Sequence, residues 1–220
     1  MEVKIITKIL KANDEVAAEL RREFDGKKIF CINLMSSPGS GKTTLLEKTI
    51  EGMKEKTKIG VIEGDITTSI DAERLQKTGA EVVEINTKPF GGDCHLEAGW
   101  IRESFHQMEA KGLDLLIIEN IGNLVCPAEF DTGAHKNIVM LSVAEGEDKP
   151  LKYPLMFHKS DLLIISKSDL IEIQEFDIGK LLDNVKKVNP DIDVIIVSAR
   201  KNTGIEEWIG WLNKNISIKK

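Results

Sequence analysis

This sequence of 220 residues has few cysteines, no cluster of basic residues and no long apolar run. Its three cysteines are an odd number without a secretory segment, so we expect reduced thiols in the cytoplasm. The formal net charge of −6 and the scattered Lys and Arg argue against nucleic acid as the main partner. No stretch reaches about 18 apolar residues, the length of a membrane span, and charges interrupt the first ten positions. We therefore expect no signal peptide and no membrane partner.

A glycine-rich stretch, Ser36–Thr44 (SSPGSGKTT), lies between an apolar run typical of a buried strand and a helical pattern. A strand, a glycine-rich turn and a helix N-terminus form a phosphate-binding loop, because backbone N–H groups and the helix dipole favour an anion there. The residues assigned to this nucleoside-triphosphate site are Pro38, Gly39, Ser40, Gly41, Lys42, Thr43 and Thr44. Lys42 is expected at the phosphates and Thr43 at Mg²⁺. Ser36 stands where the pattern has glycine, so a non-glycine backbone conformation, or a slightly more open loop, is expected there.

Two carboxylates, Asp65 and Glu119, each follow an apolar run. The carboxyl ends of strands in open α/β sheets bind ligands, and phosphoryl transfer depends on positioned charge and metal. We therefore assign catalytic roles to Lys42, Asp65 and Glu119, with both carboxylates at Mg²⁺. Gly122, three residues after Glu119, is expected to offer its N–H to the γ-phosphate. The alternative for Asp65 is a turn aspartate that caps the next helix.

The stretch Ser166–Asp169 (SKSD) resembles the Asn-Lys-x-Asp guanine motif of GTPases, with serine in place of asparagine. A carboxylate at Asp169 accepts hydrogen bonds from the N1–H and the amine of guanine, a pair that adenine lacks. Lys167 is expected along the base, and the support of the base is assigned to Ser198, Ala199 and Arg200. The motif therefore predicts GTP. Because serine is shorter than asparagine, looser binding is expected.

Two cysteines and a histidine lie on predicted loops at the ligand-binding edge, and they are Cys94, His95 and Cys126. Thiolate and imidazole suit Zn²⁺ and also Ni²⁺. The set is one ligand short of a tetrahedron, and adjacent residues tend to point apart, so a two-fold interface that pools ligands from two subunits is expected. The alternative is two loop thiols without a metal. Pro127 is expected to hold Cys126 extended, with its sulfur exposed, and Cys31 is expected to be an inert core residue.

Predicted strands alternate with predicted helices along the chain. Strands are expected at Ile29–Met35, Lys58–Glu63, Glu81–Ile85, Leu113–Ile118, Asn137–Val143, Leu162–Ile165 and Asp193–Val197. Helices are expected at Asp14–Phe24, Thr43–Met53, Asp71–Gln76, Glu97–Lys111, around Leu181–Val185 and around Ile205–Leu212, with a surface loop at Glu145–Pro154. This order is typical of an α/β P-loop NTPase with a mostly parallel sheet and helices on both faces. We expect an N-terminal helical extension at 1–27, packed outside the sheet, and a P-loop GTPase domain at 28–220. The histidines outside the loops (His106, His135 and His158) are expected on the surface or on helices.

The ordered motifs SPGSGKTT, EGD, GGDCH, ENIGNLVCP, SKSD and SAR resemble those of the hydrogenase nickel-incorporation GTPases, the HypB family in the SIMIBI class. The resemblance implies that Cys94, His95 and Cys126 bind nickel or zinc. It also implies a homodimer favoured by GTP, and action with other maturation proteins on the hydrogenase large-subunit precursor. The family's N-terminal cysteine-rich motif and histidine-rich tract are not found in this sequence, so no storage role is expected.

Two other functions remain open from the sequence. A related urease-accessory GTPase shares the nucleotide elements but carries Cys-Pro-His, whereas Ala128 follows Cys126 and Pro127 here. A GTP-gated metal-binding module, in which hydrolysis is incidental, fits the same motifs. No obvious glutamine is placed to orient the attacking water, so slow intrinsic turnover of GTP is expected.

Overall fold

The computed structural model describes residues 2–90, 92–109 and 112–219. Within these ranges seven strands are found: β1 (Phe30–Ser36), β2 (Ile59–Asp65), β3 (Glu81–Asn86), β4 (Leu115–Glu119), β5 (Lys136–Ser142), β6 (Leu162–Ser166) and β7 (Asp193–Ile196). They form one parallel sheet in the order β3-β2-β4-β1-β5-β6-β7. A sheet whose strands are all parallel must be covered on both faces, which explains why its central strands are continuous apolar runs.

Helices cover both faces of the sheet. They are α1 (Glu2–Lys27), α2 (Lys42–Met53), α3 (Ile70–Gln76), α4 (Ala98–Gln107), α5 (Lys149–Lys152), α6 (Pro154–His158), α7 (Ile178–Val188) and α8 (Ile205–Lys219). Successive residues of β1 face opposite sides: Ile32 and Leu34 pack with α2 and α8, whereas Cys31 packs with α1 and α4. The predicted P-loop fold is therefore confirmed, and Cys31 is a core residue whose burial raises the pKa of its thiol.

The N-terminal helix α1 packs on the outer face of the sheet, as predicted, although it is longer than expected. Leu20 and Phe24 are buried, and the ring of Phe24 meets that of Phe105 edge-on at 5.0 Å. Arg21 donates to both carboxylate oxygens of Asp131 at 2.7 and 2.8 Å. These contacts attach α1 to the sheet. The division of the chain at residue 27 stays a prediction.

Two predictions about local structure are wrong. The segment Glu145–Pro154 is not a loop throughout: it contains α5, and α6 begins at its last residue. Each of these short helices has a proline in its first turn, where no N–H is needed, and the buried Met156 and Phe157 of α6 hold the segment on the core. The helix predicted to Lys111 instead ends at Gln107, since Met108 is extended. Lys111 itself lies outside the described residues.

The carboxyl ends of all seven strands meet at one edge of the described sheet. The residues assigned to nucleotide or metal from the sequence lie at this edge, on the last residues of strands, on the loops that follow them or on the first turn of α2. None of the helices in the described part of the chain combines the length and the apolar character that a membrane span requires.

Candidate nucleotide and metal site

The phosphate loop connects β1 to α2 as the motif requires. Gly39 and Gly41 have φ values of 73° and 100°, a left-handed conformation that glycine adopts without strain. The loop is braced by Ser36: its hydroxyl accepts from Ser40 Oγ at 2.6 Å and from Lys42 Nζ at 3.0 Å. Ser36 itself is a regular strand residue, as expected for a non-glycine at this position. Serine therefore replaces glycine here with a gain of hydrogen bonds to the loop.

The phosphate cleft, a cavity of about 240 Å³, lies beside this loop. Its lining includes Pro38, Gly39, Lys42, Asp65, Glu119 and Gly122, all assigned from the sequence, together with Glu63 and Asp71. Thr43 Oγ1 donates to Glu119 Oε1 at 2.8 Å, while Glu119 Oε2 is buried without a partner. Burial raises the pKa of Glu119 to about 7, and burial also lowers the pKa of Lys42. The hydroxyl and the free carboxylate oxygen are a donor set that Mg²⁺ accepts.

Asp65 lies in the cleft but is engaged by its own turn. Its Oδ1 accepts from the N–H of Ile66 and Thr67, at 2.5 and 3.3 Å, and its Oδ2 accepts from Thr68 Oγ1 at 2.6 Å. Burial raises the pKa of Asp65, but the hydrogen bonds outweigh it and leave the pKa below its usual value. Asp65 thus holds its own turn but does not cap the next helix, since α3 has Ser69 as its N-cap and no side-chain cap hydrogen bond. Its position in the lining of the cleft leaves the catalytic assignment a prediction.

Two carboxylates of the cleft, Glu63 and Asp71, were not assigned from the sequence. Glu63 is a buried residue of β2, and burial followed by repulsion from Glu119 raises the pKa of Glu63 to about 9. Asp71 is on α3, where it accepts from Arg74 at 2.9 Å. Arg74 also donates to Thr44 Oγ1 at 3.2 Å, so α3 is tied to the phosphate loop. The signal available for Glu63 was a charged residue at the end of an otherwise apolar strand.

The guanine pocket, a cavity of about 270 Å³, lies on the other side of the phosphate loop. It is lined by Ser40, Gly41, Thr44, Leu45, Met140, Ser166, Lys167, Asp169, Leu170, Val197, Ala199 and Arg200. Ser166 Oγ donates to the carbonyl of Ser40 at 2.8 Å, and Lys167 Nζ donates to the carbonyl of Gly39 at 2.7 Å. The shorter side chain of Ser166 therefore still reaches the phosphate loop, and the looser binding expected from the serine stays a prediction.

Asp169 is exposed to the guanine pocket and held by its neighbour. Ser198 Oγ donates to Asp169 Oδ1 at 2.5 Å, and this hydrogen bond lowers the pKa of the carboxyl. Ser198 also accepts from the N–H of Lys201 at 3.1 Å, while Ala199 and Arg200 line the pocket. The two elements assigned to the base thus meet at one place, with an ionised carboxylate facing the space for a ligand.

The thiols of Cys94 and Cys126, 32 positions apart, are in contact, with their Sγ atoms 2.7 Å apart. Both cysteines are half-buried and unbridged. The hydrogen bond with Cys94, and then burial, raise the pKa of the Cys126 thiol. The expectation of an extended Cys126 is wrong: Cys126 begins a short 3₁₀ turn, Cys126–Ala128, in which Pro127 occupies the first turn.

His95 is not grouped with the two thiols. Among the described residues no cluster of three or more His, Cys, Asp or Glu side chains has the arrangement of a metal site. The imidazole instead stacks on Phe130 with ring centroids 3.7 Å apart, and neither of its nitrogens has a hydrogen-bond partner. Burial lowers the pKa of His95, which keeps the imidazole neutral. One chain therefore brings together two of the three predicted ligands.

One histidine was misplaced by the sequence argument. His135 is neither an exposed residue nor a helical one: its side chain is 6% exposed, and Nδ1 accepts from the N–H of Cys31 at 2.9 Å. Its Nε2 lies 3.2 Å from Asp25 at the end of α1. His135 therefore links α1 to the sheet, and it lines neither the phosphate cleft nor the guanine pocket.

Both thiol loops are attached to segments that face the phosphates. Cys126 follows Glu119 and Gly122 on one segment, and a Cβ added at Gly122 would lie 2.9 Å from Pro38 Cα in the phosphate loop. The Cys94 loop is bound to the turn after β2, since Thr87 N–H and Lys88 N–H donate to the carbonyls of Asp65 and Ile66 at 3.0 and 3.1 Å. Each thiol thus lies on a loop that begins at a contact with a segment of the phosphate cleft.

This sheet order, phosphate loop and base pocket define a P-loop GTPase. Comparison with known proteins identifies the family of this chain. The profile of the CobW/HypB/UreG nucleotide-binding domain matches residues 30–196. The chain is 49% identical to the hydrogenase maturation factor HypB of Azotobacter chroococcum, over 96% of this chain and 68% of that protein. The chain belongs to the CobW/HypB/UreG family and, within it, to the HypB hydrogenase maturation factors.

Solved structures agree with this assignment. The crystal structure of Helicobacter pylori HypB in complex with nickel superposes with a TM-score of 0.88 at 40% identity, covering 94% of this chain and 95% of that one. HypB from Archaeoglobus fulgidus gives a TM-score of 0.86 at 36% identity, covering 94% of this chain and all of that one. The family resemblance and the P-loop fold predicted from the motifs are confirmed.

Proposed function

We propose that this chain is a GTP-hydrolysing metallochaperone that assists nickel insertion into [NiFe]-hydrogenase, with a metal site coupled to the nucleotide. The single observation that carries the proposal is the contact between Cys94 and Cys126 on loops bound to the phosphate-facing segments. The nickel complex of the Helicobacter pylori relative supports the choice of cargo. Other maturation proteins and the hydrogenase large-subunit precursor are the proposed partners, and the cytoplasm is the proposed compartment.

The nucleotide half of the proposal rests on the phosphate cleft. Thr43 and Glu119 would hold Mg²⁺, because the Thr43 hydroxyl contacts Glu119 and the Oε2 of that carboxylate has no partner, and Asp65 adds negative charge in the same cleft. When bound, the ion neutralises charge that develops on the phosphates. Lys42 and the N–H of Gly122 contact the β- and γ-phosphates. Among the described residues that line the cleft there is no glutamine, so intrinsic turnover is slow.

The metal half rests on soft ligands that one chain does not complete. Two thiols supply two ligands for Ni²⁺ or Zn²⁺, and a tetrahedral site needs four. A homodimer that pools Cys94 and Cys126 from two copies supplies four thiols, and His95 of each loop stays a proposed ligand of the same ion. Because γ-phosphate orders the segments that carry these loops, GTP favours the dimer.

Metal binding by three forms of the chain tests the metal half. Wild type, a Cys94→Ser/Cys126→Ser variant and a Cys31→Ala control are each titrated with Ni²⁺ and with Zn²⁺ while metal bound per chain is measured. We expect binding in wild type and in the control, since Cys31 is fully buried near the amino end of β1, away from the carboxyl edge that carries these loops, and no stoichiometric binding in the double variant. Unchanged stoichiometry in the double variant would overturn the proposal.

A second candidate function is favoured by one relative. The Helicobacter pylori protein, 42% identical over 96% of this chain, is named a hydrogenase/urease maturation factor. The Cys-Pro-Ala sequence at Cys126 departs from the urease-accessory motif and favours the hydrogenase role.

A GTP-gated metal-binding module differs from both maturation GTPases, since it transfers metal without hydrolysis. An Asp65→Ala variant that binds GTP but does not cleave it distinguishes them: retained metal transfer identifies the module.

A further inference from the structure

Two buried carboxylates lie side by side in the phosphate cleft. Glu63 on β2 and Glu119 on β4 are register partners in the parallel sheet, so both side chains lie on the same face. Each residue is 3% exposed, and in each the Oε2 atom is buried without a hydrogen-bond partner. Both line the same cavity as Lys42. Two carboxyl groups, each with one unpartnered oxygen, thus line one small cavity.

The described lining of the cleft offers little positive charge to balance these two carboxylates. Asp71 is engaged by Arg74, and both oxygens of Asp65 accept hydrogen bonds from the turn after β2. Among the described residues that line the cleft, Lys42 is the one cation. Burying two carboxylates against one lysine is unfavourable, because each ion loses its hydration. A divalent cation with hard oxygen ligands removes that cost.

We propose that Glu63 is a carboxylate of the magnesium site, alongside Thr43 and Glu119. The proposal rests on the GTP function stated above and changes the division of labour within it. Asp65, which follows Glu63 by two positions, keeps the turn in shape with its occupied oxygens, whereas Glu63 presents a free one. In the EGD element of the sequence, Glu63 is thus the proposed metal ligand and Asp65 is the residue that shapes the turn.

The test measures the dependence of nucleotide binding on Mg²⁺. A fluorescent, non-hydrolysable GTP analogue is bound to wild type, to Glu63→Gln and to Glu84→Gln while Mg²⁺ is titrated. Glu84 is the matched control: it is the register partner of Glu63 on β3, a half-buried carboxylate that does not line the cleft. We expect the half-saturating Mg²⁺ concentration to rise about 10- to 100-fold in Glu63→Gln, by analogy with the loss of a group that supports a metal, and to stay at the wild-type value in Glu84→Gln.

GDP binding in the absence of Mg²⁺ shows whether each variant is folded and is expected to be unchanged. A wild-type half-saturation in a folded Glu63→Gln variant would overturn the assignment of Glu63 while leaving the GTP function intact. No binding of the analogue by wild type, with or without Mg²⁺, would instead overturn the proposed function. If Glu63→Gln does not fold, Glu63→Asp decides: its shorter carboxylate is expected to raise the half-saturation, and an unchanged value contradicts the proposal. Mn²⁺ bound in the presence of GDP, counted by electron paramagnetic resonance, gives the same comparison without a GTP analogue.

Discussion

The guanine pocket and the thiol loops lie on either side of β1 along one edge of the sheet. They differ in how many of their polar groups find partners within one chain. In the guanine pocket the polar groups have partners, as in the pairs of Ser166 with Ser40 and Asp169 with Ser198. At the thiol loops Cys94 and Cys126 contact each other, and both nitrogens of His95 lack a partner. One chain therefore completes the guanine pocket, whereas it supplies only two thiols to the proposed metal site, and the proposed dimer is what provides the remaining ligands.

The phosphate cleft is intermediate between these two regions. Lys42 and Thr43 have partners, but one oxygen each of Glu63 and Glu119 does not. Buried polar groups in native proteins are nearly always satisfied, so unsatisfied ones mark places where a ligand is expected. Among the described residues, no side chain lining the guanine pocket has such an atom, whereas two lie in the cleft (Oε2 of Glu63 and of Glu119) and two belong to His95. Four changes test this contrast, and the largest effects are expected in the cleft.

Lys42→Ala removes the one cation of the described cleft lining. Because the ammonium stabilises charge in the transition state, we expect the rate constant for GTP hydrolysis to fall about 100- to 1000-fold. Single-turnover hydrolysis measures it, with Lys48→Ala on the exposed side of α2 as the control. A rate within a few-fold of wild type would remove Lys42 from the mechanism.

The pH dependence of stability reports on the buried carboxylates. The folded-state pKa of Glu119 is raised from 4.5 to about 7, so the folded chain holds its proton more tightly than the unfolded chain. The contribution of Glu119 to stability is therefore fully present below pH 4.5 and is lost as the pH rises to about 7, by on the order of 3 kcal/mol. Denaturant unfolding of the metal-free, nucleotide-free chain measures the decline. Glu119→Gln is expected to flatten it, and the exposed Glu103→Gln to leave it unchanged; an equal slope in wild type and Glu119→Gln would contradict the account.

Asp169→Asn changes the base that the pocket accepts. The carboxylate loses its two charged hydrogen bonds to guanine, and we expect GDP affinity to fall about 10- to 100-fold. The new amide donates to the second carbonyl of xanthine, so affinity for xanthosine diphosphate should rise. Competition binding measures both, with the exposed Asp191→Asn as the control. Unchanged preference for guanine would place the base elsewhere.

Ser166→Ala removes one hydrogen bond between β6 and the phosphate loop. A neutral hydrogen bond is worth about 1 kcal/mol, so GDP affinity should fall about 5-fold. Isothermal titration of Ser166→Ala, with the neighbouring Ser168→Ala as the control, measures the effect. No change, or a loss as large as that of Asp169→Asn, would show that serine has a different role in this motif.

Much of the site could be predicted from the sequence because its motifs are local. A strand, a glycine turn and a helix start specify the positions of Lys42 and Thr43 without knowledge of the rest of the chain. The same holds for Asp169, which lies three positions after the end of the apolar strand β6. Residues whose role depends on a neighbour across the sheet were not predicted. Glu63 reads as the polar end of a strand until Glu119 on β4 is known to lie beside it.

Long-range contacts also explain the remaining differences. His135 has its partners at Asp25 and Cys31, more than 100 positions away, and no local pattern indicates them. The sequence of α5 and α6 is charged, contains prolines and is typical of a loop. These short helices are nevertheless held in place because Phe157 and its neighbours pack on the core. Cys126 begins a 3₁₀ turn although a proline follows it, because Pro127 is accommodated in the first turn.

The central claim is that the nucleotide controls how a pair of loop thiols holds its metal. The most direct measurement is native mass spectrometry of the chain with Ni²⁺, once with GDP and once with a non-hydrolysable GTP analogue. We expect a dimer with one metal ion per pair of chains that is favoured by the analogue. Equal metal content and equal assembly in the two nucleotide states would contradict the account.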